Sequence, residues 1–539
     1  MARRSREGAR GTAGPGPVPS AWAPLRIRLF RTLWLASLAS NVGTWMQTVG
    51  AQWLVVHDAH AAILVSLVQA AYTLPAVLFA LVAGVLADIF DRVKLLVAVL
   101  AGMTATGAAL TVLTAAHRMP PALLLAFTFA LGTGAILVAP AYQSLVPDMV
   151  PREQLPAAAG LSSISINLAR AVGPAVAGLL VAQIGVAAVF ALNTATLLLY
   201  AIVVAAHPGL GGTPESPERF LPGLRAGGRY VRNAPVVRRI LLRAALFLVP
   251  GSCLWALLPL VATTRLALGA GGYGLLLGAL GVGAVGGALV LPQVRARLSA
   301  NALVAAASLI YAAALAVTGL SRSLPLTIAV LLVAGVAWIA FLANVNAALQ
   351  LFLPRWVRAR GLAVYQMVLF GAQAAGAVIW GAVAGATGLV PAFLISAVAM
   401  AGGAATIWFW PFQQIADMDR SLVRWPEPQL LISADRGSGL VLVRTTYTVA
   451  TDKEQRFLQA MARLRQSRLR TGAIGWALYQ DGQNPRVFVE DFRVPSWEEH
   501  LRQHRERQTG TDLEYHDAAA ALSDPPARTD HYLAAAVPG

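Results

Sequence analysis

The chain has little of what a soluble protein is built from. Of its 539 residues only 12% are charged and 57% are hydrophobic, whereas a soluble domain carries about 25% charged residues. That excludes an ordinary water-soluble protein and leaves a membrane chain. A single cysteine, Cys253, excludes an intramolecular disulfide, and its place in an apolar stretch leaves the redox compartment unread. Acidic residues are scarce over most of the length. Residues 1–412 hold 26 Arg or Lys against 8 Asp or Glu, and 413–539 hold 16 against 17, so the net charge of +17 is carried almost wholly by the first part. The composition changes near residue 412, which marks a domain boundary. Residues 1–29 have four arginines in the first ten positions, then Gly and Pro, with no short apolar segment ending in a small-residue cleavage site. They are expected to form a disordered basic tail rather than a removable signal peptide.

What the first part does have is apolar length. A hydrocarbon core about 30 Å thick needs about 20 apolar residues per helix, and twelve such stretches are predicted at 30–56, 61–86, 94–115, 121–140, 157–182, 185–206, 240–263, 273–292, 302–320, 325–350, 361–385 and 389–411. Of the 26 basic residues here, 22 fall on the N-terminal tail and the even-numbered side. Three, Arg118, Arg265 and Arg322, fall on the other side, and Arg170 falls inside a span. The excess of positive charge places both termini in the cytoplasm of a multi-pass protein of the cell's inner membrane. The stretch 207–239 reads as a basic cytoplasmic linker near the anionic leaflet, between halves at 30–206 and 240–412.

The halves repeat one another. Gly84, Arg92, Pro151, Arg152, Gly173 and Gly178 recur 203 residues later as Gly287, Arg295, Pro354, Arg355, Gly376 and Gly381. Tandem halves of this kind are the build of many secondary transporters. No Walker-type phosphate loop is present, which argues against ATP as the driving force.

Two motifs carry a family resemblance. After the second span come Gly84, Asp88, Asp91, Arg92 and Lys94. This resembles the signature loop of the major facilitator superfamily, with Asp91 where a glycine is usual and with Leu291 replacing the aspartate in the second half. Gly84 permits close helix approach, and Asp88 with Arg92 can pair with charges or helix ends to form a latch that breaks as the halves rock. In span five, Gly160, Ala169, Gly173, Pro174, Ala177 and Gly178 resemble the antiporter motif of drug exporters in that superfamily, two glycines being alanine here. The resemblance implies twelve helices in two six-helix halves, alternating access, and gating through Gly84, Asp88, Arg92, Gly173, Pro174 and Gly178. It favours export and proton exchange. The residues themselves supply no intramembrane carboxylate for a proton cycle, since no Asp or Glu lies within the twelve stretches.

Polar side chains at helical spacing mark a candidate cavity. Span one carries Asn41, Thr44, Trp45, Thr48 and Gln52 on one face; span five carries Ser163, Asn167, Arg170 and Pro174; span ten carries Asn346 and Gln350; span eleven carries Gln366 and Gln373. An arginine within the membrane is costly and is a functional candidate by default. Asn41, Trp45, Thr48, Gln52, Asn167, Arg170, Asn346, Gln366 and Gln373 are therefore expected to contact a small-molecule substrate. Each can equally be glue between helices.

Beyond a linker at 413–438 the pattern becomes α+β. Residues 441–449 alternate as a strand, Thr451 and Glu454 read as a capping box, and Phe457, Met461 and Leu464 stripe one helix face. Strand-like runs at 473–480 and 486–494 flank the Asp481-Gly482 turn, and Ser496 with Glu499 caps another helix. This order suggests a ferredoxin-like cytoplasmic domain over 439–520, followed by a flexible tail at 521–539. The run 495–504, with Phe30, Trp34, Gly43 and Gln47 near the start of span one, resembles the branch of the superfamily called transmembrane secretion effectors, similar to the enterobactin exporter. In that branch the appended domain resembles antibiotic-biosynthesis monooxygenases.

His500 and His504 stand one helical turn apart, but no third ligand accompanies them, and they read as a solvated face rather than a metal site. No metal, cofactor or nucleic acid is called for; the expected partners are a substrate, membrane lipid and a second copy paired through the C-terminal sheet. The sequence thus leads to an efflux carrier for a hydrophobic or siderophore-like molecule and not an enzyme. Uptake, lipid flipping and a membrane-tethered monooxygenase remain the alternatives.

Overall fold

The computed structural model describes residues 20–210, 228–411, 421, 423, 425–428, 430 and 439–534. The tail over 1–19, the middle of the 207–239 linker, most of the 413–438 linker and residues 535–539 lie outside the described residues. The expected tail is shorter than 1–29: Ala23–Arg26 forms a turn of 3-10 helix with Pro24 buried, and the first long helix begins at Arg28.

The first half contains α1 (Arg28–Leu54), α2 (Ala61–Ile89), α3 (Arg92–Ala115), α4 (Pro121–Met149), α5 (Leu155–Gln183) and α6 (Val186–Ala205). The second contains α7 (Pro235–Leu260), α8 (Ala270–Arg295), α9 (Ala300–Leu320), α10 (Leu324–Phe352), α11 (Arg355–Thr387) and α12 (Leu389–Ala405). Among the described residues ten helices are long and apolar enough to cross a membrane by length and composition. The other two complete the bundle: α1 is diluted by Ser37, Ser40, Asn41, Thr44, Gln47, Thr48 and Gln52, and α12 has only 17 residues. Several helices outrun the apolar stretches. α2 and α4 continue to Ile89 and Met149, so Asp88 and Asp148 sit in their last turns, and α7 starts at Pro235. Hydropathy stops where polar side chains begin, whereas backbone hydrogen bonding continues to the next cap.

The repeat has a structural counterpart. α5 ends at a turn through Gly185 (φ 108°) and α11 at Gly388 (φ 94°), again 203 residues apart. Positive φ is open to glycine at no steric cost, so both turns need it. Within the halves the contacts correspond pair by pair: α1 on α5 and α6 as α7 on α11 and α12, α2 on α4 as α8 on α10, and α3 on α4 and α6 as α9 on α10 and α12. Between the halves the main contacts are α2 with α11 and α5 with α8. Exchange of the halves converts one of these contacts into the other.

The C-terminal domain is a four-stranded antiparallel sheet with helices on it. Its elements are β1 (Val441–Thr448), α13 (Glu454–Thr471), β2 (Gly475–Gln480), β3 (Val487–Val494), α14 (Trp497–Arg502), α15 (Gly510–Ala520) and β4 (Arg528–Leu533), with sheet order β2-β3-β1-β4. β4 occupies part of the segment expected to be a flexible tail, pairing Leu533 with Val441 and Arg528 with Thr446. Its own sequence is polar, and it is made a strand by the free edge of β1. The Thr451–Glu454 capping box is not formed, because Thr451–Lys453 is a 3-10 turn and no side chain caps α13. Ser496 does cap α14, accepting from the Glu499 N–H at 3.2 Å.

The domain sits against the helix bundle. Arg507 lies 4.8 Å from the Trp356 ring at the start of α11, and Arg470 lies 6.0 Å from the Tyr230 ring in the helical segment 228–233. Tyr230 and Trp356 themselves meet edge to face at 5.6 Å. The end of the bundle that carries the starts of α1 and α11 and this domain is called the domain side below, and the opposite end the far side.

Candidate functional site at the interface between the halves

The far side is sealed by backbone contact. A Cβ at Gly178 would meet the Ala270 carbonyl at 2.6 Å and Gly274 Cα at 2.9 Å; one at Gly274 would meet the Pro174 carbonyl at 2.6 Å, and one at Gly281 would meet Ala171 Cα at 2.6 Å. The symmetric contact behaves alike, since a Cβ at Gly381 would meet Ser66 Cβ at 2.5 Å. Missing side chains let the helices of opposite halves touch. Gly173 and Gly376 do a different job: they face Trp45 on α1 and Ser252 on α7, each inside its own half. Of the three repeated glycine pairs, Gly173/Gly376 builds the halves and Gly178/Gly381 joins them, while a Cβ at Gly84 would meet nothing within 4 Å and one at Gly287 would meet Ile339 and Val336 of its own half.

Side chains complete the seal. Gln52 is 2% exposed. Its amide nitrogen donates to the Trp255 carbonyl at 3.3 Å, and its oxygen accepts from the Tyr273 hydroxyl at 2.5 Å. Trp53 stacks on Tyr273 with centroids 6.2 Å apart. Gln52 was expected among the substrate contacts; the structure engages both ends of its amide with the second half.

Toward the domain side several glycines stand open. Cβ atoms built at Gly84 on α2, Gly160 on α5 and Gly286 on α8 would meet nothing within 4 Å. Apolar side chains there are uncovered, among them Leu78, Val82, Ile164 and Leu289. Among the described glycines, those that press one half against the other lie toward the far side and the middle of the bundle, and none at the domain-side end does so.

Between the two ends α1 and α5 bring several expected residues together. The Arg170 guanidinium lies 5.5 Å from the centre of the Trp45 ring, and Trp45 is 5.9 Å from Trp255 of the second half. Asn41 donates to Ser165 at 3.1 Å. Thr48 and Asn167 bond back to their own helices, to the carbonyls of Thr44 and Ser163. The remaining expected residues stand apart from this group. Gln350 donates to Asn346 at 2.7 Å along α10, Gln373 bonds to Leu369 along α11, and Gln366 is exposed.

A cavity of about 160 Å³ in the first half was not foreseen. Asn41 and Thr44 line it, but so do Tyr72, Tyr142, Gln143 and Tyr200 from α2, α4 and α6. The Tyr142 hydroxyl is shielded and has no hydrogen-bond partner. These four polar residues stand among other polar residues of the same helices, such as Gln69, Thr133 and Asn193, so nothing in the sequence singled them out.

Of the expected latch, the side chain of Arg92 can be placed and that of Asp88 cannot. The side chain of Asp88 lies outside the described residues. Arg92 donates to the Ser144 carbonyl at 3.2 Å and lies 3.6 Å from the Asp148 carboxylate, tying the start of α3 to the end of α4. Asp91, in the place where a glycine is usual, caps α3 by accepting from the Lys94 N–H at 2.9 Å.

In the C-terminal domain His500 is 1% exposed, so it is not part of a solvated face. It bonds Gln503 at 3.1 Å and packs on Trp497, His504 and His531. Burial pushes its pKa down to about 3, and burial pushes that of His504 down to about 4. Among the described residues no group of three or more His, Cys, Asp or Glu side chains is placed to hold a metal. Glu490, fully buried in β3, accepts from Trp476 at 2.9 Å, Tyr447 at 3.2 Å and Arg468 at 3.3 Å. This closed network holds the sheet to α13.

Two helical halves related by a repeat and joined through α2 with α11 and α5 with α8 have the build of a membrane transporter of the major facilitator type. The family model described as transmembrane secretion effector matches residues 19–538, and the chain belongs to that family. A "Staphyloferrin A transporter" of Staphylococcus aureus (strain NCTC 8325 / PS 47) is 23% identical over 256 residues, which is 47% of this chain and 64% of the relative, less than two thirds of its length. Among solved structures, a POT family transporter in complex with 5-aminolevulinic acid is similar with a TM-score of 0.58 at 11% identity, covering 71% of this chain and 96% of that one. A bacterial homolog to the human lysosomal transporter Spinster, in an inward-facing and occupied conformation, is similar with a TM-score of 0.58 at 15% identity, covering 72% and 97%.

Proposed function

We propose that the chain exports a small hydrophobic or siderophore-like molecule from the cytoplasm by alternating access, in exchange for protons. The observation that carries the reading is the pair of symmetric glycine contacts between the halves, Gly178 to Gly274 and Gly381 to Ser66, with no such contact at the domain-side end, where the reading places a vestibule. Rocking the halves about these symmetric contacts would open the far side while closing the domain side. The distribution of Arg and Lys supports taking the domain side as cytoplasmic, so the vestibule would load from inside the cell. The family's description and the siderophore transporter among the relatives support secretion of a siderophore-like substrate. Asp148, paired with Arg92 across the domain-side ends of α3 and α4, is the described acid on which the exchange is tested. The β-α-β-β-α-β order and the strand order β2-β3-β1-β4 support reading the appended domain as ferredoxin-like.

The test is flux in proteoliposomes holding the purified chain, with a catecholate siderophore as cargo and an imposed pH gradient. Gradient-driven accumulation that is lost in Asp148→Asn is expected. Cargo movement indifferent to the gradient would overturn proton exchange, and absence of any movement would overturn the cargo class.

A further inference from the structure

Arginines that serve the fold of this bundle are recognisable by their acceptors. Arg243, 6% exposed on α7, donates to the Gly403 carbonyl at 3.1 Å, the Thr406 hydroxyl at 2.7 Å and the Trp410 carbonyl at 2.5 Å, and so closes the end of α12. Arg265 donates to the Leu320 carbonyl at 2.6 Å, and Arg92 has Ser144 and Asp148. Arg170 has no such set. Among the described residues it makes no hydrogen bond or ion pair, its Nε is shielded from solvent without a partner, and its one contact of note is the Trp45 face.

The surroundings supply no negative charge to answer it. Residues 235–411, the whole of the second half, contain no Asp or Glu. The five acids of the first half lie at helix ends or in the connections: Asp58 between α1 and α2, Asp88 in the last turn of α2, Asp91 at the cap of α3, Asp148 in the last turn of α4 and paired with Arg92, and Glu153 just before α5. Arg170 is partly buried and of its guanidinium only Nε is shielded, so the terminal N–H groups are left free for acceptors that something else brings. A fork of N–H donors matches a carboxylate or another oxyanion, and Trp45 and Trp255 beside it offer flat apolar faces.

We infer that Arg170, with the Trp45 face, forms the binding site for an organic anion: an oxyanion group on an aromatic or apolar body, entering through the vestibule. The inference rests on the transporter reading of that vestibule and names its substrate class. Ser163 and Asn167, on the same face of α5 toward the opening, lie along the path such an anion would follow.

The test is binding of naphthoate and its neutral isostere naphthamide to the full chain in phosphatidylcholine nanodiscs, read by tryptophan fluorescence. Naphthoate is expected to bind at least about tenfold more tightly than naphthamide, as one charge-assisted pair allows. Arg170→Gln is expected to erase that preference and Arg170→Lys to keep part of it, with melting temperatures reporting that each variant is folded. Equal affinity of the two probes for the wild-type chain would overturn the site without reference to any variant. Persistence of the preference in folded Arg170→Gln would overturn it equally. Replacing phosphatidylcholine by phosphatidylglycerol separates two sources of the anion: competition assigns it to a lipid headgroup, and unchanged binding assigns it to a soluble solute. Binding needs no transport, so failure here leaves the carrier intact, whereas anion binding without flux would count against the carrier alone.

Discussion

Arg170 and Arg243 are the same residue in similar apolar helices, and their surroundings give them opposite roles. Arg243 terminates α12 through three acceptors. Its replacement by alanine strands them in a buried position and is expected to cost about 2 kcal/mol, read as a lower melting temperature of the full chain in detergent; an unchanged melting temperature would contradict this role. A second expectation concerns the C-terminal domain. Burial keeps the His500 imidazole neutral, with a pKa pushed down to about 3, whereas in the unfolded chain it titrates at about 6.5. The unfolded state therefore takes up the proton first as pH falls, and the domain loses stability from about pH 6.5 downward, by about 2 kcal/mol at about pH 5 from this residue alone. His500→Gln is expected to flatten the fall in melting temperature between neutral and acid pH, and an equally steep fall in that variant would assign the dependence elsewhere. From sequence, His500 and His504 read as a solvated pair because helical spacing gives no information on what a sheet covers. Arg170 was legible as a candidate, but its difference from Arg243 depends on where carbonyls of other helices fall.

At the scale of elements the glycines decide which helices can touch. Gly178→Val would drive a side chain into the Ala270 carbonyl and Gly274, holding α5 off α8. It is expected to reduce transport by about tenfold or more, by breaking the far-side seal, and to expose Tyr273 and Gln52 to impermeant labels introduced near them. Gly286→Ala, with open space at its Cβ, is expected to transport as the wild type does; equal effects of the two would contradict the division between sealed and open sides. The offset of 203 residues makes the paired halves legible in the amino-acid order itself, and the turns at Gly185 and Gly388 belong to the same repeat. What the repeat does not tell is that Gly173 and Gly376 look inward while Gly178 and Gly381 look across: five positions turn the helix by about 140°, which separates the two faces, but which face meets the other half depends on where the helices are placed. β4 was missed for a related reason: Arg528–Leu533 alternates poorly, and its strand conformation comes from pairing with β1. The α13 cap failed because Thr451 is drawn into a 3-10 turn.

For the whole molecule the question is how a two-fold related pair of halves with an attached domain converts contact into movement. The domain holds the second half at Trp356 and the segment connecting the halves at Tyr230. Trp356→Ala is expected to weaken that docking by about 1 kcal/mol and to speed amide exchange in the last turn of α13, and unchanged exchange would mean the domain is held elsewhere. The central claim is that the seal on one side and the opening on the other are two phases of one rocking motion. It is tested most directly by pulsed electron-spin distance measurements on the full chain in nanodiscs, with one label pair at Ile89 and Leu289 on the domain side and another at Ile184 and Leu320 on the far side, all exposed positions. On adding naphthoate, the account expects a population in which the domain-side distance shortens and the far-side distance lengthens together. Distances that stay fixed, or that change in the same direction on both sides, would contradict it.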